Sequence, residues 1–255
     1  MCSNLPRGGG VARHLRGYLS RERLPGLRSR LSKDRFLREL GLSLRKYRAL
    51  RIRRFPGSTD PSDREFHPYS AIRKLARAGD TEEAIWLSFL TIVCGHVSGQ
   101  ERRWESVRCL YGGFGSTRWT WDHVRAHPGS FREWMMKRRD DVRRLRFGNH
   151  RKYETHDPTA DIVDSYVKWV EKEGGGSQRW IFEETGRDQT PAAAFDALYR
   201  RIRVTRFGRR ARFDWLCVVG NLGLFPLAPG FCYLRGPRGR CVARSGCSGR
   251  EHGGV

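Results

Sequence analysis

One stretch limits the possible folds of this chain more than any other, because nine of its eleven residues are apolar. Residues 84–94 read Ala-Ile-Trp-Leu-Ser-Phe-Leu-Thr-Ile-Val-Cys, which places apolar side chains on nearly every face of a helix. Asp80 and Glu83 precede the stretch at the spacing of a capping box, which is typical of a helix start. Since a helix that is apolar all round belongs inside a protein, the stretch predicts a central buried helix that ends at Gly95.

Further helix signals are distributed along the chain. Residues 31–52 place leucines and aromatic residues at helical spacing, with arginine and lysine on the other faces. This pattern fits a core helix with a solvated back, a helix lying along a phosphate backbone, or both. Asp157-Pro158 and Thr190-Pro191 each combine an N-cap residue with a first-turn proline. No stretch shows the alternation typical of strands, so the sequence predicts an all-α fold of about nine helices.

Charge is concentrated at the two ends of the chain. The 255 residues carry a formal net charge of +23. Residues 1–58 hold 16 Lys and Arg against 3 Asp and Glu, residues 59–199 hold 22 against 22, and residues 200–255 hold 12 against 2. Because neutralising phosphates releases counterions, basic ends of this kind predict a polyanion partner, with nucleic acid as the first candidate.

Composition also divides the chain into three regions. Residues 1–30 combine three consecutive glycines, prolines and many arginines, and predict a disordered basic arm. Residues 31–236 hold nearly all the helix signals and predict one helical domain. Residues 237–255 consist largely of Gly, Arg and Cys, and predict a disordered or truncated tail.

Several classes of protein are disfavoured by the sequence. Residues 215–234 carry no charge, but glycines, prolines and Asn221 interrupt them, so a packed helix and turn is predicted rather than a membrane span. The start of the chain lacks the apolar segment of a secretory signal. The seven cysteines lack paired spacing. We therefore expect an intracellular protein, cytoplasmic or nuclear, with no metal site and no cofactor.

Two octets, residues 147–154 and 207–214, repeat one pattern at a distance of sixty residues. Each begins with Phe-Gly and ends with a cation, an aromatic ring and a carboxylate at identical offsets. A glycine before a run of donors permits positive φ or close approach, so each octet predicts a helix start that faces a phosphate. The carboxylates of Glu154 and Asp214 would orient the cations or accept a proton from a nucleophile. The alternative is two ordinary helix starts with solvated arginines.

A glycine-rich turn lies between two further predicted helices. Gly112, Gly113 and Gly115 follow a short helix. Two helices joined in this way form a helix-hairpin-helix-like element, whose backbone N–H groups can hold a DNA phosphate without reading sequence. An ordinary helix–helix turn is the alternative. Three tryptophans downstream suit either stacking on an unpaired base or burial in the core: Trp119, Trp121 and Trp134.

Five blocks of the chain together resemble a known family. They are residues 83–90, 110–115, 147–154, 164–170 and 207–215. In this order, over residues 36–236, they resemble the alpha-glutamyl/putrescinyl thymine pyrophosphorylase family, clade 3. Members of that group are related to helix-hairpin-helix DNA glycosylases. The resemblance therefore implies a helix-hairpin-helix DNA glycosylase-like helical domain.

The resemblance also implies an enzyme that acts on DNA, at a hypermodified thymine of the kind made in the DNA of some phages. The implied substrate is 5-pyrophosphomethyl-uracil, a modified thymine, from which an amine such as glutamate or putrescine displaces pyrophosphate. Enclosing the target would favour flipping the base into a pocket. A pyrophosphate leaving group needs cations and N–H donors where its charge develops, and an attacking ammonium needs a base.

The two octets and the glycine-rich turn supply candidates for these roles. Glu154 or Asp214 is the candidate base, and His150 is an alternative donor to the leaving oxygen. The catalytic candidates are His150, Lys152, Glu154 and Asp214. The candidates for binding phosphate or DNA are Asn149, Arg151, Arg209, Arg212, Gly112, Gly113 and Gly115.

Two other functions stay open at this point. A DNA glycosylase would use a carboxylate such as Asp214 to support a sugar cation and would need no pyrophosphate site. A non-catalytic nucleic-acid-binding protein would use all of these cations on the phosphate backbone. Members of the family continue past the position of residues 233–234 with an ordered Gly-rich segment, whereas residues 236–255 here resemble a truncated end.

Overall fold

The fold is described by a computed structural model, which covers residues 8–21, 27, 29–52, 55–97, 103–148, 156–231 and 233. Every regular element within these residues is a helix, and the extended backbone contributes one isolated bridge, between Ser58 and Phe66. The predicted all-α class is confirmed. The α-helices are α1 (Gly8–Arg21), α2 (Arg30–Ile52), α3 (Pro68–Arg77), α4 (Thr81–Cys94), α5 (Glu105–Tyr111), α6 (Trp121–Ala126), α7 (Ser130–Lys137), α8 (Arg139–Arg144), α9 (His156–Gly174), α10 (Gln178–Gly186), α11 (Pro191–Arg201) and α12 (Arg209–Leu222).

Helix α4 lies at the centre of the core, as its composition predicts. Trp86 and Phe89 are fully buried in its middle. The ring of Phe89 stacks on Tyr166 of α9 with centroids 3.7 Å apart and meets Trp215 of α12 at 5.6 Å. Helices α3, α5, α10 and α12 all pack on α4. These four helices are therefore arranged around one buried axis.

The first turn of α4 begins as predicted but uses its two glutamates differently. The Asp80 side chain accepts a hydrogen bond from the backbone N–H of Glu83, which confirms the N-cap. The second half of the capping-box pattern is wrong, because the Glu83 carboxylate accepts from Tyr111 and Trp121 instead. Glu82 points elsewhere and accepts from the backbone N–H groups of Gln178 and Arg179, at the start of α10.

The uncharged stretch of residues 215–234 contains most of α12 and the turn that follows it. Helix α12 ends where Gly223 takes a left-handed conformation with φ 81°. The chain then folds back so closely that a Cβ atom on Gly220 would lie 2.2 Å from the carbonyl oxygen of Leu227. In the described part of the chain, no helix is both long and apolar enough to cross a membrane.

Helix α1 lies inside residues 1–30, for which composition predicts a disordered arm. Leu19 is only 3% exposed because α1 packs on α2. Lys33 Nζ also donates a hydrogen bond to the carbonyl oxygen of Leu19 at 3.0 Å. Tertiary packing therefore supports a helix in a segment whose local composition disfavours one. Residues 237–255 lie outside the described residues.

Candidate active site

The structure describes only the first two residues of the first octet, Phe147 and Gly148. Phe147 is buried, and the backbone N–H of Gly148 donates to the carbonyl oxygen of Cys94, at the end of α4, over 2.9 Å. A Cβ atom on Gly148 would lie 2.3 Å from the carbonyl oxygen of His96, so this glycine is used for close approach. The polar candidates of this octet lie outside the described residues: Asn149, His150, Arg151, Lys152 and Glu154.

The second octet opens a helix, as its pattern predicts. Gly208 is the N-cap of α12, and Arg209 is the first helical residue. Gly208 has φ −72°, so the positive-φ geometry expected at this glycine is not used. Arg212 lies in the first turn, where its guanidinium donates to the carbonyl oxygens of Phe207 and Tyr199 at 3.2 and 3.3 Å. These bonds hold the start of α12 against the end of α11.

Asp214 forms a specific contact with α2. The hydroxyl of Tyr47 donates to Asp214 Oδ1 at 2.9 Å, and Arg210 Nε lies 3.9 Å from Oδ2. The side chain of Asp214 is 19% exposed. Burial, the charge of Asp214 and the neighbouring Cys217 together raise the pKa of Tyr47 above its ordinary value. The phenol therefore stays protonated and donates, and it fixes one oxygen of the carboxylate.

An aromatic cluster includes one ring, that of Tyr69, on which the charge of Asp214 acts. Burial, and to a smaller extent the charge of Asp214, raises the pKa of Tyr69. The ring of Tyr69 lies 5.2 Å from that of Trp104, which in turn lies 5.1 Å from the ring of His96. His96 is the residue against which Gly148 packs. A series of contacts thus connects Tyr69, through Trp104 and His96, to Gly148 at the beginning of the first octet.

Three further side chains complete the aromatic cluster. His67 stacks on Phe55 at 4.9 Å, and burial together with nearby His96 lowers the pKa of His67 to about 4. Arg73 lies over the Phe55 ring at 5.1 Å and donates to the carbonyl oxygen of Leu50. Burial, and then Arg77, lowers the pKa of Arg73. The cluster is therefore a half-buried region that combines rings with a guanidinium.

The glycine-rich turn adopts a tight conformation with three consecutive positive φ angles. Gly113, Phe114 and Gly115 have φ 61°, 55° and 85°. The backbone N–H groups of Gly112 and Gly115 donate to carbonyl oxygens within α5 and the turn itself. Since these two donors already have protein partners, they are not directed at a phosphate. The assignment of Gly112, Gly113 and Gly115 to DNA binding stays a prediction, as does the helix-hairpin-helix relationship.

The tryptophans downstream of the turn belong to the core. Trp119 is 4% exposed and Trp121 is 2% exposed, while Trp134 is half-buried against Trp119 with ring centroids 5.3 Å apart. Rings held in this way are not free to receive a base, so burial is the interpretation that the structure favours.

Sequence reasoning missed two residues that matter at the site. Tyr47 lies in the helix predicted for residues 31–52, where an aromatic residue indicates only packing, yet its hydroxyl contacts a residue 167 positions away. Tyr69 gave no signal, because it lies at the start of an unremarkable short helix. A phenol at the edge of an apolar stripe is the one available hint, since a buried hydroxyl needs a partner.

Together these features define an all-α basic protein with a half-buried carboxylate near the start of a helix. The chain belongs to the alpha-glutamyl/putrescinyl thymine pyrophosphorylase family, clade 3, whose family model matches residues 32–245. This confirms the family resemblance and extends it beyond residue 236. The family name implies pyrophosphorylase-type enzymes of DNA hypermodification. No curated protein and no solved structure was found to match the chain.

Proposed function

We propose that this protein modifies a thymine in DNA by displacing pyrophosphate from 5-pyrophosphomethyl-uracil with an amine such as glutamate or putrescine. The observation that carries the proposal is the family match over residues 32–245, which includes both octets and the Asp214 site. The excess of cations at both ends of the chain supports a DNA substrate.

The proposed reaction is a substitution at the 5-methylene carbon. The amine nitrogen forms a bond to that carbon while the carbon–oxygen bond to pyrophosphate breaks, and pyrophosphate leaves with the electron pair. The nitrogen loses a proton, which Asp214 accepts. Tyr47 engages Oδ1 of this carboxylate, so Oδ2 is the oxygen assigned to the proton.

Cations at the start of α12 suit the departing pyrophosphate. Arg209 and Arg210 lie in the first turn of the helix, where the backbone dipole also favours negative charge. Arg212 supports this arrangement through its two carbonyl contacts, which hold the helix start in place. In the proposal, His150, Lys152 and Glu154 contribute from the first octet, which leaves the core beside His96.

The test uses duplex DNA that contains 5-pyrophosphomethyl-uracil. The full-length protein is incubated with this DNA and either glutamate or putrescine. Pyrophosphate release is followed, and a nucleoside digest is analysed by mass spectrometry. We expect an amine-substituted thymine and one pyrophosphate for each substitution. Release of a free base would identify a DNA glycosylase, and DNA binding without either product would identify a non-catalytic binding protein.

A matched pair of substitutions tests the role of Asp214. Asp214→Asn keeps an oxygen for Tyr47 but cannot accept the proton, so we expect turnover to fall by about 100-fold or more while DNA binding survives. The control is Asp140→Asn on α8, where the side chain is 87% exposed. It should leave turnover unchanged. Full turnover by Asp214→Asn would refute the assignment of the base.

A further inference from the structure

The hairpin of α1 and α2 carries many arginines that the Asp214 site does not use. In the described side chains of residues 13–21 and 29–51, the acids are Asp34 and Glu39. The exposed cations in the same ranges are Arg13, Arg16, Arg21, Arg30, Arg35, Arg38, Arg45, Arg48 and Arg51.

The two helices enclose a cleft of about 780 Å³ in which cations from both converge. Arg16 enters from α1, while Arg30, Lys33 and Arg38 enter from α2, and Asp34 is the acidic residue of the lining. Lys33 is held in place by its hydrogen bond to the carbonyl oxygen of Leu19. Cations held together at this density repel one another, so the cleft is suited to an anion.

The arginines continue along α2 beyond the cleft, which indicates a polymeric anion. At 100° per residue, Arg30, Arg38, Arg45 and Arg48 fall within an arc of about 80° and span about 27 Å along the helix. A small anion would contact only one or two of these arginines, whereas a nucleic-acid duplex presents a negative charge about every 1.7 Å along its axis. A stripe of this length therefore matches the phosphate backbone of a nucleic acid.

The exposed apolar side chains that the structure describes on α2 do not form a continuous apolar face. Leu31 and Leu42 are 79% and 49% exposed, but they lie three turns apart along α2. Phe36, which is 38% exposed, lies about 130° around the helix from them. A helix that lies in a membrane surface needs a continuous apolar face opposite its cations. The arrangement therefore favours nucleic acid over an anionic membrane.

We propose that the α1–α2 hairpin is a second DNA-binding surface, which holds the duplex backbone in its cleft and along the arginine stripe. Helix α2 connects this surface to the candidate active site, because Tyr47 contacts Asp214 and the neighbouring Arg48 is exposed. Helix α1 lies outside the residues matched by the family model, so its half of the cleft is not part of that match. The choice of DNA rests on the proposed function, whereas the surface itself rests on geometry and charge.

The test measures how salt weakens the binding of an unmodified DNA duplex by the full chain. Arg16→Gln/Arg38→Gln removes one cleft cation from each helix. We expect the slope of log affinity against log salt to become shallower by about 2, uniformly across duplex sequences. The control Arg179→Gln/Arg187→Gln removes the same charge from exposed positions of α10 and the residue after it, and should leave the slope unchanged.

Two further measurements make the outcome decisive. Arg16→Lys/Arg38→Lys keeps both charges and should keep the original slope, which separates loss of charge from loss of fold. An unchanged slope for the glutamine pair would overturn the proposal. So would binding to phosphatidylserine vesicles that the glutamine pair abolishes while duplex binding is unaffected.

The hairpin proposal and the proposed function fail separately. If the glutamine pair alters the salt slope but the wild-type protein gives no amine-substituted thymine, the proposed DNA-binding surface is supported and the proposed reaction is refuted. If the slope is unchanged and the modified thymine still forms, the proposed reaction is supported and the proposed DNA-binding surface is refuted.

Discussion

The buried carboxylate of Glu83 provides a quantitative test of how the core is held together. It is 7% exposed and accepts hydrogen bonds from the Tyr111 hydroxyl at 2.6 Å and from the Trp121 backbone N–H at 2.7 Å. Glu83→Ala leaves both buried donors without a partner, at about 1–3 kcal/mol each. We expect the free energy of unfolding to fall by about 2–6 kcal/mol, which is a large part of the total for a typical domain.

Glu83→Gln isolates the electrostatic part of the same interaction. Burial is the main cause that raises the pKa of Glu83 from 4.5 to about 6. Because the folded pKa is the higher one, the folded state binds this proton more tightly than the unfolded state. The resulting stabilisation is fully present below about pH 4.5 and is lost as pH rises through about 6. It amounts to about 2 kcal/mol, and the glutamine variant lacks it.

The measurement is urea unfolding of the wild type and both variants between about pH 4 and pH 7, followed by tryptophan fluorescence. The stability of the wild type relative to Glu83→Gln should fall by about 2 kcal/mol over this range. The low pKa of His67 has the opposite effect on stability, but it is common to both proteins and cancels. Glu39→Ala, at an exposed position of α2, is the control and should change stability by less than about 0.5 kcal/mol. A difference between wild type and Glu83→Gln that is flat with pH would refute burial as the cause.

Two further predictions concern packing and the site. Gly220→Ala should lower the free energy of unfolding by about 1–3 kcal/mol, because the added methyl group meets the Leu227 carbonyl. Gly186→Ala, whose methyl group meets nothing nearer than 3.9 Å, should be neutral or stabilising in the same urea assay. Tyr47→Phe removes the hydrogen bond to Asp214 and should lower the free energy of unfolding by about 1–3 kcal/mol. In a double-mutant cycle with Asp214→Ala, which removes the accepting oxygen, the two effects should not add, and strict additivity would contradict a direct contact.

The parts of the fold that could be predicted are those whose signals are local. The sequence predicts the position of α4, because a helix with apolar residues on nearly every face has only one stable location, in the core. The start of α11 was found because Thr190 and Pro191 act on the residues next to them, and the Thr190 side chain caps the N–H of Ala193. Signals of this kind need no knowledge of the rest of the chain.

The parts that could not be predicted depend on distant neighbours. Helix α1 exists because Leu19 finds a partner on α2, and nothing in residues 8–21 encodes that partner. The octet pattern indicates Asp214 as a candidate, but the contact of Asp214 with Tyr47 is a consequence of how α2 and α12 pack. The sequence identified a candidate carboxylate, whereas its environment required the tertiary structure.

The two glutamates in the first turn of α4 also determine which movements the protein can make. Consecutive residues point about 100° apart around a helix, so Glu82 and Glu83 attach α4 to α10 on one side and to α5 and α6 on another. Rolling α4 about its own axis would break both sets of bonds at once. These bonds therefore fix the rotation of α4 about its own axis. A rearrangement that keeps these bonds leaves α4 fixed relative to the starts of α10 and α6 and the end of α5, whereas α2, which packs on α12, is free of these two attachments.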